Sequence, residues 1–216
     1  MRLHLGCGQR YLDGYVNIDF PVSMHTVQIK SVADRHADLL ALRYPERSID
    51  EIRLHHVFEH FARHTACALL ASWQSWLKVG GQLRIEVPDL LLTGIAALNP
   101  VSSSRRRCVA ERHLFGSHEA DWASHKEGYT PGRLRRLVRA FGFAVDRVKR
   151  NSWRGTYNFE LFGTKTHALD RAACEQSART YLEEFLLDQS PGEARLLDAW
   201  MNLYSAQVER TWAHAS

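Results

Sequence analysis

A pair of glycines directly after a short strand is the feature that most constrains the fold of this chain. Residues 3–5 have the apolar pattern of a strand, and Gly6 and Gly8 follow in "LHLGCG". Glycines at such a turn let backbone N–H groups approach a ligand with no Cβ in the way. The pair therefore predicts a strand that ends at a ligand site, as strands of open α/β sheets do.

The next acidic residue comes too early for a dinucleotide site. That fingerprint needs a third glycine, a full helix and an acidic residue about 20 residues further on. Here Asp19 comes 11 residues after Gly8, at the end of a predicted strand over residues 16–20, and the link has room for about two helical turns. A carboxylate at that point can accept hydrogen bonds from both hydroxyls of a ribose.

Strand and helix patterns alternate along the following residues. The sequence predicts a helix over the apolar repeat of residues 66–77 and a basic amphipathic helix after Thr130. It predicts further strands, the last two of them antiparallel, at residues 36–42, 49–57, 82–88, 143–150 and 157–166. Residues 99–130 show weak periodicity and are predicted to be irregular, and long segments of that kind are often functional.

The length and composition fit one α/β domain with an appendage. The chain has 216 residues, 45% of them hydrophobic and 24% charged, which is typical of a globular protein with a full core. We place the domain at residues 1–167 and a C-terminal helical hairpin at residues 168–216, where two apolar stripes flank a short link. The hairpin needs an apolar partner, either the chain's own sheet or the second subunit of a homodimer.

Cysteine usage and hydropathy bear on location. The four cysteines form no C-x-x-C pair, no apolar run approaches 18 residues, and the first strand begins at once. We therefore expect a reduced, cytoplasmic protein with no signal peptide and no membrane span.

The formal charge of +4 is unevenly distributed. In residues 101–154, Lys and Arg outnumber Asp and Glu by 13 to 5, whereas residues 1–100 hold 10 of each and residues 155–216 hold 5 against 9. The basic middle segment could contact phosphates, but basic faces are more often simply solvated, and no RNA-binding module accompanies this one. Nucleic acid is therefore not the expected partner.

Four segments occur in an order and spacing that resemble a known family. They are "LHLGCGQRYLDGYVNID", "DLLAL", "IDEIRLHHVFEH" and "WLKVGGQLRIEVPDL". They resemble the motifs of class I S-adenosylmethionine-dependent methyltransferases, and in particular a small bacterial subgroup with a short first crossover and a His-x-x-Glu-His element. The resemblance covers residues 1–165 and implies a three-layer, Rossmann-like, seven-stranded sheet with an antiparallel last strand.

The resemblance also implies the cofactor, S-adenosyl-L-methionine, and the residues that contact it. These are Gly6, Cys7 and Gly8 at its methionine part, Asp19 at its ribose, Asp38 and Leu39 at its adenine, and His56 at the turn under its sulfonium.

Polar residues after the predicted fourth strand could take part in catalysis. A hydroxyl acceptor needs a general base, and the candidates are His56, Glu59, His60 and, in a His-x-x-Gly-Tyr-Thr element that recurs in the subgroup, His125. Metal binding is the alternative, because His56, His60 and His64 have helical spacing. His56 is expected at a strand end, outside the helix, so we predict no metal site and place His64 in solvent.

Three functions remain in competition. The first is an enzyme that transfers the methyl group of S-adenosylmethionine to a small-molecule or glycan-type acceptor by direct displacement, and the subgroup is associated with polysaccharide biosynthesis. The second is a non-catalytic S-adenosylmethionine-binding partner or sensor subunit. The third, favoured only by the basic segment, is a nucleic-acid methyltransferase. The sequence leaves the acceptor open.

Overall fold

Seven strands of the described residues form one mixed sheet. The structure is a computed structural model that describes residues 1–25, 30–153 and 156–212. Residues 213–216 of the predicted hairpin lie outside this part of the chain. The strands are β1 (Arg2–Leu5), β2 (Val16–Asp19), β3 (Arg35–His36), β4 (Ile49–His55), β5 (Leu77–Pro88), β6 (Phe143–Trp153) and β7 (Thr156–Lys165).

The order of the strands in the sheet is β3-β2-β1-β4-β5-β7-β6. The first five strands of the chain pair in parallel, whereas β7 runs antiparallel to both β5 and β6. This arrangement confirms the predicted seven-stranded α/β sheet with an antiparallel last strand. The carboxyl ends of β1, β2 and β4 meet at one edge, where ligands bind in sheets of this kind.

Six α-helices accompany the sheet in the described residues. They are α1 (Arg63–Trp76), α2 (Leu90–Leu98), α3 (Ser104–Phe115), α4 (Pro131–Ala140), α5 (Arg171–Glu183) and α6 (Pro191–Thr211). Side chains cap the first turns of two of them: Asp89 accepts hydrogen bonds from the first N–H groups of α2, and Thr130 caps α4 ahead of Pro131.

Two predictions of local structure are wrong. The strand predicted at residues 36–42 is only the two-residue β3, which ends at His36, because Asp38 Oδ1 accepts the N–H of Leu40 at 2.8 Å and bends Leu39–Ala41 into a 3₁₀ turn. Residues 99–130 are not irregular throughout, because α3 forms within them and packs against α2. Its apolar pattern is weak, since Ala110 is the residue that it buries.

The last two helices pack against α1, whose residues from Ala66 onward are buried. The apolar stripes of α5 and α6 meet this helix, and Leu182 and Val208 are fully buried there. The stripes are thus largely covered by the chain itself and need no second subunit for burial, although Leu196 is 38% exposed and Trp200 only half-buried. Within the described residues, every helix is too short or too polar to cross a bilayer.

Candidate functional site

The turn after β1 contains two glycines with left-handed backbone conformations. The φ angles of Gly6 and Gly8 are +67° and +55°. A Cβ on Gly6 would clash with the side chain of Val57, whereas a Cβ on Gly8 would meet no atom within 4 Å. Gly6 is therefore required for packing, and Gly8 borders open space from which a ligand can approach the backbone.

Asp19, at the end of β2, is held beside this turn. Its Oδ2 accepts the N–H of Gly8 at 2.5 Å, and its Oδ1 accepts the N–H of Phe20 at 2.7 Å. The link from β1 to β2 consists of turns without a helix, so it is short enough to keep the carboxylate next to the glycines. The Cys7 thiol also lies 4.0 Å from Oδ2. A carboxylate oxygen can accept more than one hydrogen bond, so a ligand hydroxyl can be accommodated here as well.

A cavity of about 510 Å³ opens at this edge of the sheet. It is lined by all seven residues that the family resemblance implies for cofactor contact: Gly6, Cys7, Gly8, Asp19, Asp38, Leu39 and His56. Aromatic residues also line it. Trp122 contacts the ring of His25 edge-on, with 5.0 Å between ring centroids, and lies 6.0 Å from Phe20.

The chain leaves β4 through His56, which has a φ angle of +54°. Such a backbone is uncommon for a residue other than glycine and is often found at functional sites. His56 lies between two carboxylates, with Nδ1 3.4 Å from Glu59 Oε1 and Nε2 3.6 Å from Glu86 Oε1. Glu59 and His60 follow in the 3₁₀ turn Phe58–His60.

The charges in this cluster depend on one another. Burial disfavours the charged form of His56, but hydrogen bonding and charge from Glu59 and Glu86 have the larger effect and raise the pKa of His56 to about 9. Burial would also raise the pKa of Glu59, but His56, and then His60 and His125, hold it below its usual range. Burial lowers the pKa of His125 to about 4. At neutral pH the cluster thus holds a charged His56, an ionised Glu59 and a neutral His125.

A second cavity, of about 930 Å³, adjoins the first. The residues that line both cavities are His56, His60, Glu86, Glu119 and Trp122. His125 lines the second cavity only, and its ring is nearly perpendicular to that of His60, with centroids 4.6 Å apart. The two cavities therefore share a wall that is made largely of titratable side chains.

The segment that carries His125 is attached to the turn after β4 by backbone hydrogen bonds. The N–H groups of Lys126 and Glu127 both donate to the carbonyl oxygen of Glu59, at 2.9 and 3.1 Å. The structure thus brings the candidate residues His56, Glu59, His60 and His125 together. The carboxylate of Glu59 nevertheless lines neither cavity, because it is buried beneath the histidines.

Two neighbouring histidines have other positions. The exposed His118 uses Nε2 in a hydrogen bond with the carbonyl oxygen of Phe115, at 2.9 Å, and lines neither cavity. The prediction that His64 lies in solvent is wrong. Its ring is half-buried and its Nδ1 fully so, because the first turn of α1 lies near Lys126 and Glu127.

Sequence reasoning missed Glu86 and His113. Glu86 alternates with buried apolar residues and reads as the solvated face of β5, but its pairing with His55 brings it to the cavity edge. The signal that could have identified Glu86 is that neighbouring parallel strands end at the same edge of a sheet. His113 lies 5.5 Å from His56 between ring centroids, on α3, which the sequence pattern did not indicate.

Comparisons with known proteins find similar structures but no similar sequences. No family model and no curated protein matches the chain. An S-adenosylmethionine-dependent methyltransferase from Mesorhizobium loti is 14% identical, with a TM-score of 0.52 over 76% of this chain and 89% of that one. The 1,6-didemethyltoxoflavin-N1-methyltransferase of Burkholderia thailandensis, solved with 1,6-didemethyltoxoflavin and S-adenosylhomocysteine, is 16% identical, with a TM-score of 0.51 over 77% and 71% of the two chains.

A third similar structure comes from the complex of the Haloferax volcanii Trm112 methyltransferase activator with a methyltransferase. It is 13% identical, with a TM-score of 0.53 over 79% of this chain and 83% of that one. At such low identities the likeness concerns the fold. The chain therefore has the class I fold of S-adenosylmethionine-dependent methyltransferases.

Proposed function

We propose that this protein is an S-adenosylmethionine-dependent methyltransferase that acts on a small-molecule or glycan-type acceptor. The observation that carries the proposal is the pair of adjoining cavities at the carboxyl edge of the sheet. One contains the glycine turn and Asp19, and the other contains His60 and His125. A transferase needs such a pair, because donor and acceptor must be held in line with their reacting atoms about 3 Å apart.

The first cavity suits the donor. In our proposal, the open side of Gly8 faces the methionine part together with Gly6 and Cys7, and Asp19 accepts hydrogen bonds from the ribose hydroxyls. Asp38 and Leu39 border the adenine, and the methyl group points past His56 towards the second cavity. These residues line one cavity without any rearrangement of the chain.

The second cavity suits a small acceptor. Its volume lies within the range of small-molecule pockets, which is about 300–1,000 Å³. The indole of Trp122 and the imidazole of His125 offer flat surfaces against a sugar or another ring. The Burkholderia thailandensis enzyme, whose fold is similar, was solved with a small aromatic acceptor.

The other two functions have less support. A non-catalytic binding subunit needs the first cavity but not the second. A nucleic-acid enzyme needs a free basic surface, yet Arg133 is bound to Glu127 and Tyr181, and Arg136 pairs with Glu184. Part of the basic segment is thus neutralised within the chain.

Calorimetry with S-adenosylmethionine and S-adenosylhomocysteine tests the donor site. We expect both to bind, and we expect Asp19→Asn to weaken binding by about 1–3 kcal/mol, because a charge-assisted hydrogen bond to the ribose is lost. Asp13→Asn is the matched control, since Asp13 is an exposed aspartate of the same link. Absence of heat with folded protein would end the proposal, and full affinity in Asp19→Asn would remove Asp19 from the ribose.

A screen for release of S-adenosylhomocysteine in the presence of candidate acceptors tests the transfer itself. Sugars and glycan precursors, small aromatic compounds and an RNA pool represent the three acceptor classes. We expect turnover with a member of the first two. Turnover with RNA alone, sensitive to salt, would favour the nucleic-acid enzyme instead.

A further inference from the structure

Glu59 is a buried carboxylate without a hydrogen bond. Its side chain is 2% exposed, and neither of its oxygens has a hydrogen-bond partner among the described residues. Removing a carboxylate from water is costly, and buried charges are normally paired, hydrogen-bonded or coordinated to a metal. Glu59 therefore needs positive charge close by, and His56, whose Nδ1 lies 3.4 Å from Oε1, supplies one such group.

His60 and His125 present their rings to this carboxylate. Taking one ligand atom from each of Glu59, His60 and His125, all three atoms lie within 4.8 Å of one another. Nδ1 of His60 is buried and has no hydrogen-bond partner in the described part of the chain. This nitrogen of His60, like both oxygens of the neighbouring Glu59, is therefore buried without a hydrogen-bond partner in that part of the chain.

The orientation of His125 is the one that metal-binding histidines adopt. Its Nδ1 lies 3.1 Å from the carbonyl oxygen of Leu114, which only accepts, so Nδ1 carries the hydrogen. In a neutral ring, Nε2 then holds a lone pair, and it lies 3.9 Å from Glu59 Oε1. Metal-ligating histidines almost always donate their other N–H in this way. A lone pair and a carboxylate oxygen repel each other unless a cation lies between them.

The ion pair with His56 does not account for these features. His56 Nδ1 lies 3.4 Å from Glu59 Oε1, but the same ring also pairs with Glu86, with its Nε2 3.6 Å from Glu86 Oε1. It leaves Nδ1 of His60 without a hydrogen-bond partner among the described residues, and it places no positive charge between Glu59 and Nε2 of His125. We propose that Glu59, His60 and His125 form a binding site for a divalent transition-metal ion at the wall of the second cavity.

Two imidazoles and one carboxylate favour zinc, cobalt or iron over magnesium or calcium, which prefer oxygen ligands. Ligand atoms about 2.1 Å from a tetrahedral ion lie about 3.4 Å apart, so atoms within 4.8 Å of one another need to move by only about 1 Å. Because His60 and His125 line the second cavity, the remaining coordination positions would face a bound acceptor.

The inference goes beyond methyl transfer, which needs no metal, and beyond the sequence, which predicted no metal site. The helical spacing of His56, His60 and His64 drew attention to three residues, of which the proposed site uses only His60. Its other two ligands are the adjacent Glu59 and a histidine from a separate segment, His125.

The test is metal binding itself, measured without donor or acceptor. Tag-free protein, treated with a chelator and dialysed, is titrated with CoCl₂ and followed by visible absorption, and ZnCl₂ is then added as a competitor. We expect one Co²⁺ per chain, d–d bands of a low-coordinate site, displacement by Zn²⁺ and no competition by Mg²⁺. Even changes outside the ligand shell lower metal affinity about 10–100-fold, so loss of a ligand should lower it at least as much.

Three variants and one control assign the site. Glu59→Gln, His60→Ala and His125→Ala should each abolish the Co²⁺ bands, whereas His118→Ala, an exposed histidine of the same segment, should leave them unchanged. Circular dichroism confirms that each variant is folded. Absence of bands in the parent protein, or bands that survive all three substitutions, would overturn the proposal. Neither outcome affects donor binding at Gly8 and Asp19, so the two proposals fail separately.

Discussion

His4 is a fully buried histidine in β1, and its hydrogen bonds fix the proton positions of a short chain of side chains. Its Nδ1 donates to Asn17 Oδ1 at 3.0 Å, so its Nε2 accepts from His55 Nδ1 at 3.1 Å. Nε2 of His55 accepts in turn from Arg53 Nε at 3.0 Å. Each ring uses one nitrogen as an acceptor, so a second proton on either histidine would break a hydrogen bond.

The two rings should therefore make the protein sensitive to mild acid. Burial lowers the pKa of His4, and burial and Arg53 lower the pKa of His55 to about 3. Because the unfolded chain takes up these protons near pH 6.5 and the native chain only at lower pH, the stability that they provide is complete above about pH 6.5 and is lost as the pH falls. Each histidine contributes up to about 1.4 kcal/mol per pH unit.

Urea unfolding at several values between pH 5 and 7 measures this dependence. We expect His4→Gln to lower the stability at pH 7 and to flatten its slope against pH. His36→Gln replaces an exposed histidine of β3 and should keep the slope of the parent. Equal slopes in all three proteins would contradict the argument.

At the scale of residues, the sequence grouped Gly6, Gly8 and Asp19 more readily than it grouped Glu86 and Trp122. Gly6, Gly8 and Asp19 lie close together in the chain, and a local turn and one parallel strand pair bring them together. Glu86 and Trp122 come from elements whose place depends on strand register and on the docking of a distant segment. Strand register and the docking of distant segments are features of tertiary structure, and the spacing of residues along the chain does not predict them.

At the scale of elements, Glu127 links the site to the C-terminal helices. This buried carboxylate accepts from Arg63 Nε at 2.8 Å and from Arg133. Both guanidinium groups lie over the ring of Phe185, at 4.0 and 4.6 Å from its centroid. Because the backbone of Glu127 is bound to Glu59, packing of the residues after α5 supports the segment that carries His125.

Two leucines of the C-terminal segment test this packing. Leu182 is fully buried in α5, whereas Leu187, five residues later, is 90% exposed. We expect Leu182→Ala to lower the free energy of unfolding by about 2–5 kcal/mol, as large-to-small core substitutions do. Leu187→Ala should change it by no more than about 0.5 kcal/mol. Similar effects of both substitutions, measured by urea unfolding, would show that α5 is not packed as described.

Elements with strong periodicity or clear caps were predictable, and α3 was not. The helix after Thr130 has a capping residue, a proline at its first position and an apolar stripe, all of which belong to the local sequence. α3 has a serine cap but almost no stripe, and its position follows from contact with α2. Tertiary packing decides the structure of such a segment more than its own propensity.

At the scale of the whole molecule, residues 168–216 were expected to be an appendage to a separate domain. Contacts with α1 lead us to expect a single folding unit instead. Thr211 Oγ1 lies 2.6 Å from Ser72 Oγ, and its carbonyl oxygen accepts from Trp76 Nε1 at 3.1 Å, both in the buried interior. These hydroxyl, carbonyl and indole N–H groups would lose their hydrogen-bond partners if α6 separated from α1.

Unfolding should therefore occur in one transition. We expect tryptophan fluorescence, to which the buried Trp73 and Trp76 contribute, to coincide with far-ultraviolet circular dichroism across a urea titration. S-adenosylhomocysteine at 100 times its Kd should stabilise the native chain by about 2.7 kcal/mol without splitting the transition. Two separate transitions would show that the C-terminal helices fold independently.

The hydrogen bond from Gln207 Nε2 to the carbonyl oxygen of Leu40, at 2.8 Å, affects when the first cavity is completed during synthesis of the chain. The two residues are 167 positions apart, and Leu40 lines the first cavity. A ribosome that adds about 5–20 residues per second makes Gln207 roughly 8–33 s after Leu40. During that interval the nascent chain has its glycine turn but not the support behind one wall of the cavity. We therefore expect ligand capture to follow the emergence of α6 from the ribosome rather than to guide the early folding of the sheet.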